Sequence, residues 1–503
     1  MLTINPLLKT DSYKLSHRTM YPEGLTNVYS NYTSRGSRIE GVNHTVHFGL
    51  QAFLTDLQDD FEDFFRADKA EVVADYKRKT ASFVTPGFTV EMVEDLHDLG
   101  YLPLRFSGLP EGTLVPIKVP SLTIESTHPD FAWLVNYFET NLSASIWHPS
   151  TSATTAWDMR RTLYKAAAET SSAPEAVDFQ LHDFSYRGME NWQAAAASSA
   201  GHLLSFYGSD VVPAIDWVEH YYNGDNGLIA ASVPATEHSV MCAGGKDDEL
   251  ETFRRLLKLY PEGILSVVSD TWDFWHVLTV TLPALKDEIM ARNGKLVIRP
   301  DSGDPADIVC GKYEAELIPL TARYPGVIPE DKGAIELLWD TFGGTVNDKG
   351  FKELDSHIGL IYGDSITKAR LIDINSRLAR KGFASTNWVA GVGSYTYQMV
   401  TRDTFGSAVK ATEVEINGVR HNIFKDPKTD SGLKKSATGR LAVLSKMSGE
   451  LYLVEKATPE QEANSHLKTV WEDGKFVRYQ SFAEVRETLK RSTGILERAN
   501  ALS

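Results

Sequence analysis

The sequence predicts an α/β protein: an irregular β/α barrel-like domain over residues 151–399, and a mixed, β-rich domain formed jointly by residues 1–150 and 400–503. Three observations carry that expectation. Through the middle of the chain, short apolar runs alternate with longer helical stretches, the rhythm of parallel β/α architecture. Beyond residue 400 short strand-like segments take over, and Asn417-Gly418 marks a hairpin turn. Residues 1–150 mix strand-like and helical segments, so the two ends can share one β-rich module.

The elements follow in chain order. Residues 26–33 and 112–125 have strand composition. Residues 131–147 set Phe131, Leu134, Val135, Phe138, Leu142 and Ile146 at helical spacing. In the middle, G-I-L-S-V-V-S at 263–269 precedes a helical stretch from Thr271, and K-L-V-I at 295–298 leads through R-P-D-S-G-D-P into a helix from Pro305. I-G-L-I-Y at 358–362 leads through G-D-S into a helix ending at Arg380, and 383–390 leads into G-V-G-S. Residues 409–416 read as a strand and 482–491 as a short amphipathic helix.

The chain has 503 residues, 42% hydrophobic and 23% charged, a composition that suits a folded protein with a large core. A net charge of −16 argues against general nucleic-acid binding. It leaves room for an anionic small substrate, because a local basic cluster can dominate one pocket. Cys242 and Cys310 cannot build a disulfide framework and lack metal-type spacing, which favours a reducing cytoplasm. The opening residues lack a basic stretch followed by an apolar run, and no apolar run reaches about 18 residues, so neither a signal peptide nor a membrane span is expected.

Four apolar runs in the middle end in polar tails: Ser269-Asp270, Arg299-Pro300-Asp301-Ser302-Gly303, Gly363-Asp364-Ser365 and Gly391-Val392-Gly393-Ser394. In a β/α barrel these positions share the C-terminal face, where active sites form. Arg299 offers a planar fork for phosphate. Asp270, Asp301 and Asp364 can hold Mg²⁺ or sugar hydroxyls. Gly363, Gly391 and Gly393 permit close backbone approach to an anion at a helix start. Together the tails suit a phosphorylated sugar; the competing reading makes Asp301 and Asp364 simple helix caps.

Other segments add chemistry. H-D-F-S-Y-R-G at 182–188 interleaves aromatics with His182, Asp183 and Arg187, so Phe184 can stack on a flat ring and Arg187 can meet a phosphate. Asp210 follows F-Y-G-S at a turn, where capping is the alternative. His238, in S-V-P-A-T-E-H-S, is a candidate for proton or phosphoryl chemistry, against the alternative of a hydrogen-bonded structural histidine. Arg402, Lys410, Lys425, Lys434 and Lys435 concentrate late in an acidic chain, which suits either a polyanion site or a solvated face.

Taken together, the motifs resemble one family. D-S-Y-K at 11–14, S-R at 34–35, H-D-F-x-Y-R-G, G-S-D at 208–210, S-V-P-A-x-E-H-S, V-V-S-D, I-R-P-D-S-G, G-D-S, T-R-D at 401–403, F-K-D-P at 424–427 and G-R-L occur in order. This ordered set, from Asp11 past Arg440, resembles the nicotinate/nicotinamide phosphoribosyltransferase family, and within it the members that use nicotinamide. Two departures touch pocket detail: the glycine loop is the short G-V-G-S-Y, and Ser185 stands where relatives often have glycine.

The resemblance implies a type II phosphoribosyltransferase fold, a homodimer with shared active sites, and formation of nicotinamide mononucleotide and pyrophosphate from nicotinamide and phosphoribosyl pyrophosphate. It implies that Phe184 and the partner protomer's Tyr13 sandwich the pyridine ring, and that Asp210 accepts from the carboxamide. Arg187 and Arg299 would bind the ribose phosphate or the amide's surroundings. Asp301 would hold ribose hydroxyls, Gly363, Asp364, Gly393 and Ser394 would line the ribose-phosphate pocket, and Ser232 and Ser269 would also bind substrate. His238 would be phosphorylated by ATP, with Glu237 and Asp273 beside it. Arg35, Arg402, Lys410 and Lys425 would surround pyrophosphate and ATP phosphates, with Mg²⁺ carried on the substrate phosphates. Three alternatives compete: a nicotinate-specific relative, which Asp210 disfavours; a noncatalytic protein of the same fold; and a barrel glycosidase, which would want paired carboxylates and no late basic cluster.

Overall fold

The computed structural model describes residues 5–84, 90–224, 227–312, 328–363, 365–425 and 436–501. Asp364, Pro427, Lys434 and Lys435 lie outside the described residues. The chain divides into two compact units, one of Met1–Thr154, Asp216–Gly227 and Val400–Ser503, the other of Thr155–Ile215 and Leu228–Met399.

The first unit is built on a seven-stranded antiparallel sheet in the order Val419–Asn422, Ala408–Ile416, Leu25–Thr33, Pro120–Ser126, Leu104–Gly108, Lys468–Glu472 and Lys475–Phe476. Leu25–Thr33 pairs with Ala408–Ile416 from Leu25↔Ile416 to Thr33↔Ala408, which joins the two ends of the chain. Asn417 and Gly418 both take positive φ, the geometry of the tight hairpin turn expected there. Helix Leu50–Arg66 buries Phe53, Leu54, Leu57, Phe61 and Phe64 in the core with Phe106, Leu122 and Ile124 of the sheet.

The second unit holds six parallel strands in the order Gly208–Ser209, Leu181–Asp183, Trp388–Val392, Ile358–Tyr362, Asn293–Arg299 and Glu262–Val268. The two edge strands are bridged by one segment: Gly208 pairs with Ala231, and Ala235 with Ser266. Backbone bonds from Ser209 N to Ala231 O and from Ser266 N to Pro234 O close the ring, so the expected barrel-like domain is an irregular closed one.

Several elements differ from expectation. Residues 112–125 are two strands, Leu114–Pro116 and Pro120–Ser126, split where Lys118 takes a φ of 73°. The helix expected at 131–147 begins as short turns and then runs as Glu139–Thr170, with Pro149 inside it. Beyond Trp147 it is rich in Thr and Ala with Ser150 and Ser152, so apolar spacing does not announce it. The C-terminal helix likewise extends over Phe482–Ala501. The stretch after Thr271 is broken into the short helix Phe274–His276, a π-helical turn Val277–Thr281 and further short turns.

Candidate active site

All six parallel strands deliver candidate site residues to one end of the barrel. Phe184 follows Leu181–Asp183, Asp210 follows Gly208–Ser209, Asp270 and Thr271 follow Glu262–Val268, Asp301 follows Asn293–Arg299, Gly363 follows Ile358–Tyr362, and Gly393 and Ser394 follow Trp388–Val392. The pairs Val268↔Arg299, Tyr362↔Ala390 and Val392↔Asp183 keep these ends level.

One part of that end suits a flat amide-bearing ring. Phe184 lies against His182, with ring centroids 4.5 Å apart, and the Arg299 guanidinium sits 5.1 Å from the Phe184 centroid. Gly391 makes this possible: a Cβ there would stand 2.6 Å from Tyr362 O and 2.8 Å from Phe184 Cδ2. Asp210 Oδ1 accepts from His182 Nε2 at 2.8 Å and from Ser232 Oγ at 2.6 Å. Ser232 arrives on the segment that closes the ring. Burial works to raise the Asp210 carboxyl, but His182, Ser232 and nearby Arg299 outweigh it and hold the group below the ordinary carboxylate value. Asp210 is therefore a standing anion whose partners fix its direction, not a helix cap.

A second part gathers His238, Thr271, Asp270 and Asp301. His238 Nε2 lies 3.3 Å from Asp301 Oδ1 and Nδ1 lies 3.2 Å from Thr271 Oγ1. The carboxylate can only accept, so Nε2 donates, and in the neutral ring Nδ1 keeps its lone pair. Asp270 Oδ2 accepts from Asp301 N and Ser302 N, each at 2.9 Å, and from Ser302 Oγ at 2.6 Å. Helix Pro305–Cys310 is capped by Asp304, which leaves Asp301 free of the capping role. Ligand atoms of His238, Asp270 and Asp301 lie within 4.8 Å of one another, and Asp270 Oδ1 is buried without a partner. Glu237 accepts from Ser239 Oγ at the start of helix His238–Gly244. Asp273 caps Phe274–His276, accepting from His276 N at 3.0 Å; the ring of His238 bonds instead to Thr271 and Asp301.

The remaining strand-end residues are backbone or packing elements. Ser269 is fully buried and its hydroxyl donates to Val267 O. Gly363 N donates to Pro300 O at 2.9 Å. Ser394 opens the turn Ser394–Tyr397 after Gly393, close enough to Gly188 that a Cβ there would meet its Oγ at 2.0 Å. Arg187 stands exposed on the turn Tyr186–Gly188.

The first unit carries a basic cavity of about 230 Å³, lined by Arg35, Lys118 and Lys410 with Asn31, Thr33, Ser436 and one carboxylate, Glu455, among its walls. Burial, with Arg35, Lys425 and Lys14 nearby, lowers the Lys410 ammonium below the ordinary lysine value against the pull of Glu139. Lys425 reaches this region through backbone bonds with Ser436. Arg402 is exposed and pairs with Asp403 at 3.3 Å, apart from the residues that line the cavity. Tyr13, in the turn Ser12–Ser16, is 55% exposed with the Lys14 ammonium 5.0 Å from its centroid. Sequence reasoning did not single out Lys118 or Thr271. Neither has a motif, and only a non-glycine residue at positive φ marks Lys118, which is visible in three dimensions alone.

Comparison with known proteins agrees with this geometry. Residues 179–475, more than half of the chain, match the nicotinate phosphoribosyltransferase (NAPRTase) family, and residues 5–97 match the nicotinamide phosphoribosyltransferase N-terminal domain. The chain is 48% identical over 501 residues to a nicotinamide phosphoribosyltransferase of Acinetobacter baylyi, covering 97% of each chain. It is 38% identical to that of Mycoplasma pneumoniae over 86% of this chain and 94% of the relative. Two crystal structures share the fold at 16% identity: a nicotinate-nucleotide pyrophosphorylase from Pyrococcus furiosus, with a TM-score of 0.57 over 99% of this chain and 97% of that one, and human nicotinic acid phosphoribosyltransferase, with 0.55 over 96% and 93%. On the full-length match to these relatives and the family match across the barrel, the chain belongs to the nicotinate/nicotinamide phosphoribosyltransferase family.

Proposed function

We propose that the protein makes nicotinamide mononucleotide and pyrophosphate from nicotinamide and phosphoribosyl pyrophosphate, in NAD salvage. The observation that carries the choice of pyridine is Asp210. A carboxylate kept ionised beside Phe184 accepts from a carboxamide NH₂ and repels the carboxylate of nicotinate.

The reaction breaks the C1–O bond to pyrophosphate and forms a C1–N bond. The pyridine nitrogen already has a free lone pair, so no general base is needed. Phe184 orients the ring, a stacking contact of about 1 kcal/mol beyond burial. The departing charge calls for cations, which Arg35 and Lys410 supply in kind.

Mg²⁺ is a proposed cofactor. The carboxylates of Asp270 and Asp301, with the unpartnered Asp270 Oδ1, offer the oxygen ligands a divalent ion takes. When bound, Mg²⁺ would neutralise charge building on pyrophosphate.

ATP is a proposed co-substrate acting through His238. Asp301 holds the proton on Nε2, leaving the Nδ1 lone pair to attack the terminal phosphorus as ADP departs. A homodimer in which the partner's exposed Tyr13 completes the ring sandwich belongs to the same reading. So does a cytoplasmic location, supported by free Cys242 and Cys310 and by the lack, among the described residues, of a helix long and apolar enough to cross a membrane.

Mass spectrometry of the product formed from nicotinamide and phosphoribosyl pyrophosphate, with and without ATP, tests the proposal. Nicotinamide mononucleotide is expected in both cases, in greater yield with ATP. A His238→Ala protein whose activity rises with ATP as much as wild type would remove the phosphohistidine from the account.

A further inference from the structure

Behind Asp210 lies a buried histidine that the reaction does not touch. His202 ends the Ala-rich helix Trp192–His202 and is fully buried. Its Nε2 lies 2.9 Å from Gly208 O and its Nδ1 lies 2.7 Å from the Tyr397 hydroxyl. A carbonyl can only accept, so Nε2 carries the hydrogen and Nδ1 accepts from Tyr397. The ring stacks on Phe206, with centroids 5.2 Å apart and planes at 21°, which fixes its orientation. Burial keeps the Tyr397 hydroxyl protonated and so able to donate.

Each end of this chain of bonds leads to a different part of the site. Gly208 begins the short strand Gly208–Ser209 that Asp210 follows, and it packs so closely under His182 that a Cβ would stand 2.8 Å from Nδ1. The same helix grips that strand again, with Ser199 Oγ 2.9 Å from Ser209 Oγ, which in turn accepts from Val211 N at 3.0 Å. At the other end, Tyr397 closes the turn that starts at Ser394, the loop that the family resemblance places at the ribose phosphate.

We infer that His202 is a positioning residue that joins the Asp210 strand to the Ser394–Tyr397 turn, so that the pyridine pocket and the phosphate loop are set together. The inference rests on the proposed function for the identity of the two ligands, but not for the bond network itself.

The test compares wild type, His202→Gln and Tyr397→Phe, each alone and combined with Asp210→Asn. Tyr397→Phe removes one hydroxyl and nothing else. In folded variants the KM for nicotinamide should rise about 10-fold and that for phosphoribosyl pyrophosphate about 3-fold, with kcat within about 2-fold. Because His202 acts through Asp210, the nicotinamide effect should shrink below about 2-fold in the Asp210→Asn background. Unchanged KM values in folded variants, or effects additive with Asp210→Asn, would overturn the inference. If His202→Gln does not fold, Tyr397→Phe decides alone.

A wild-type protein that forms no nicotinamide mononucleotide defeats the functional proposal instead, and amide hydrogen exchange then reads the network without substrate. Tyr397→Phe should loosen the amides of Ser209 to Val211 together with that of Gln398. Loosening confined to Gln398 would refute the coupling.

Discussion

The barrel end and the basic cavity of the antiparallel sheet hold their charges in opposite ways. At the barrel end the carboxylates face partners: Asp210 takes His182 and Ser232, Asp301 takes His238, and Asp270 takes Ser302 and two backbone amides. In the cavity Arg35, Lys118 and Lys410 share the walls with one carboxylate, Glu455, and burial, with Arg35, Lys425 and Lys14 nearby, drives Lys410 below its ordinary value. Paired charges are preorganised to read a neutral, dipolar ring without large reorganisation. A surplus of like charge favours a bound anion. In the proposed function the second unit reads the pyridine and the first adds cations for phosphate, and salt should separate the two, since a surplus of like charge is screened over distance while hydrogen bonds at contact are screened less.

That division can be broken at several points. The largest effect is expected from Gly391→Ala, whose new methyl must displace Tyr362 O or the Phe184 ring. A loss of about 1–3 kcal/mol in stability is expected by denaturant unfolding, with activity falling further than stability explains. Next, Lys410→Ala should raise the KM for phosphoribosyl pyrophosphate about 10-fold, leave the nicotinamide KM within about 2-fold, and flatten the salt dependence of the former. An equal rise in both would erase the contrast.

The pH dependence should differ as well. Lys410 is lowered in the folded protein, so it loses its proton as pH rises before a free lysine would. The KM for phosphoribosyl pyrophosphate should therefore climb on the alkaline side below about pH 10.4, and Lys410→Arg should push that limb higher. Asp210 is shifted downward, so its carboxylate persists as pH falls. The nicotinamide KM should stay flat from about pH 8 to 5 and rise only below about pH 4. The smallest effect is expected from Lys118→Gly, which relieves a positive φ of 73° while deleting one cation. Thermal unfolding should show a gain of about 0.5–1 kcal/mol, alongside a phosphoribosyl pyrophosphate KM raised about 3-fold.

What could be read from the sequence follows the same line. Asp301, Gly363 and Ser394 were visible because a parallel strand ends in a fixed place, and a polar tail there has a known destination. Asp270 was visible for the same reason, but its partners Asp301 N and Ser302 N come from the next strand end, and only register brings them together. The ring closure through 231–236 could not be foreseen, because S-V-P-A carries no strand pattern and holds its place by a few isolated bridges. The basic cavity was half visible. Arg35 had a motif and Lys410 stood out only in the late run of basic residues, and they meet because Leu25–Thr33 pairs with Ala408–Ile416 across most of the chain length. Lys118 had no motif at all, and the strand that seemed to run through it is broken there.

The most direct test of the account is the ratio of kcat/KM for nicotinamide to that for nicotinate, measured at pH 7.5 in wild type and in Asp210→Asn. With Asp210 charged and aimed by His182 and Ser232, wild type should favour nicotinamide by at least about 100-fold, and Asp210→Asn should cut that preference by at least about 10-fold. Comparable efficiencies for the two pyridines in wild type, or a preference that survives Asp210→Asn unchanged, would contradict the central claim.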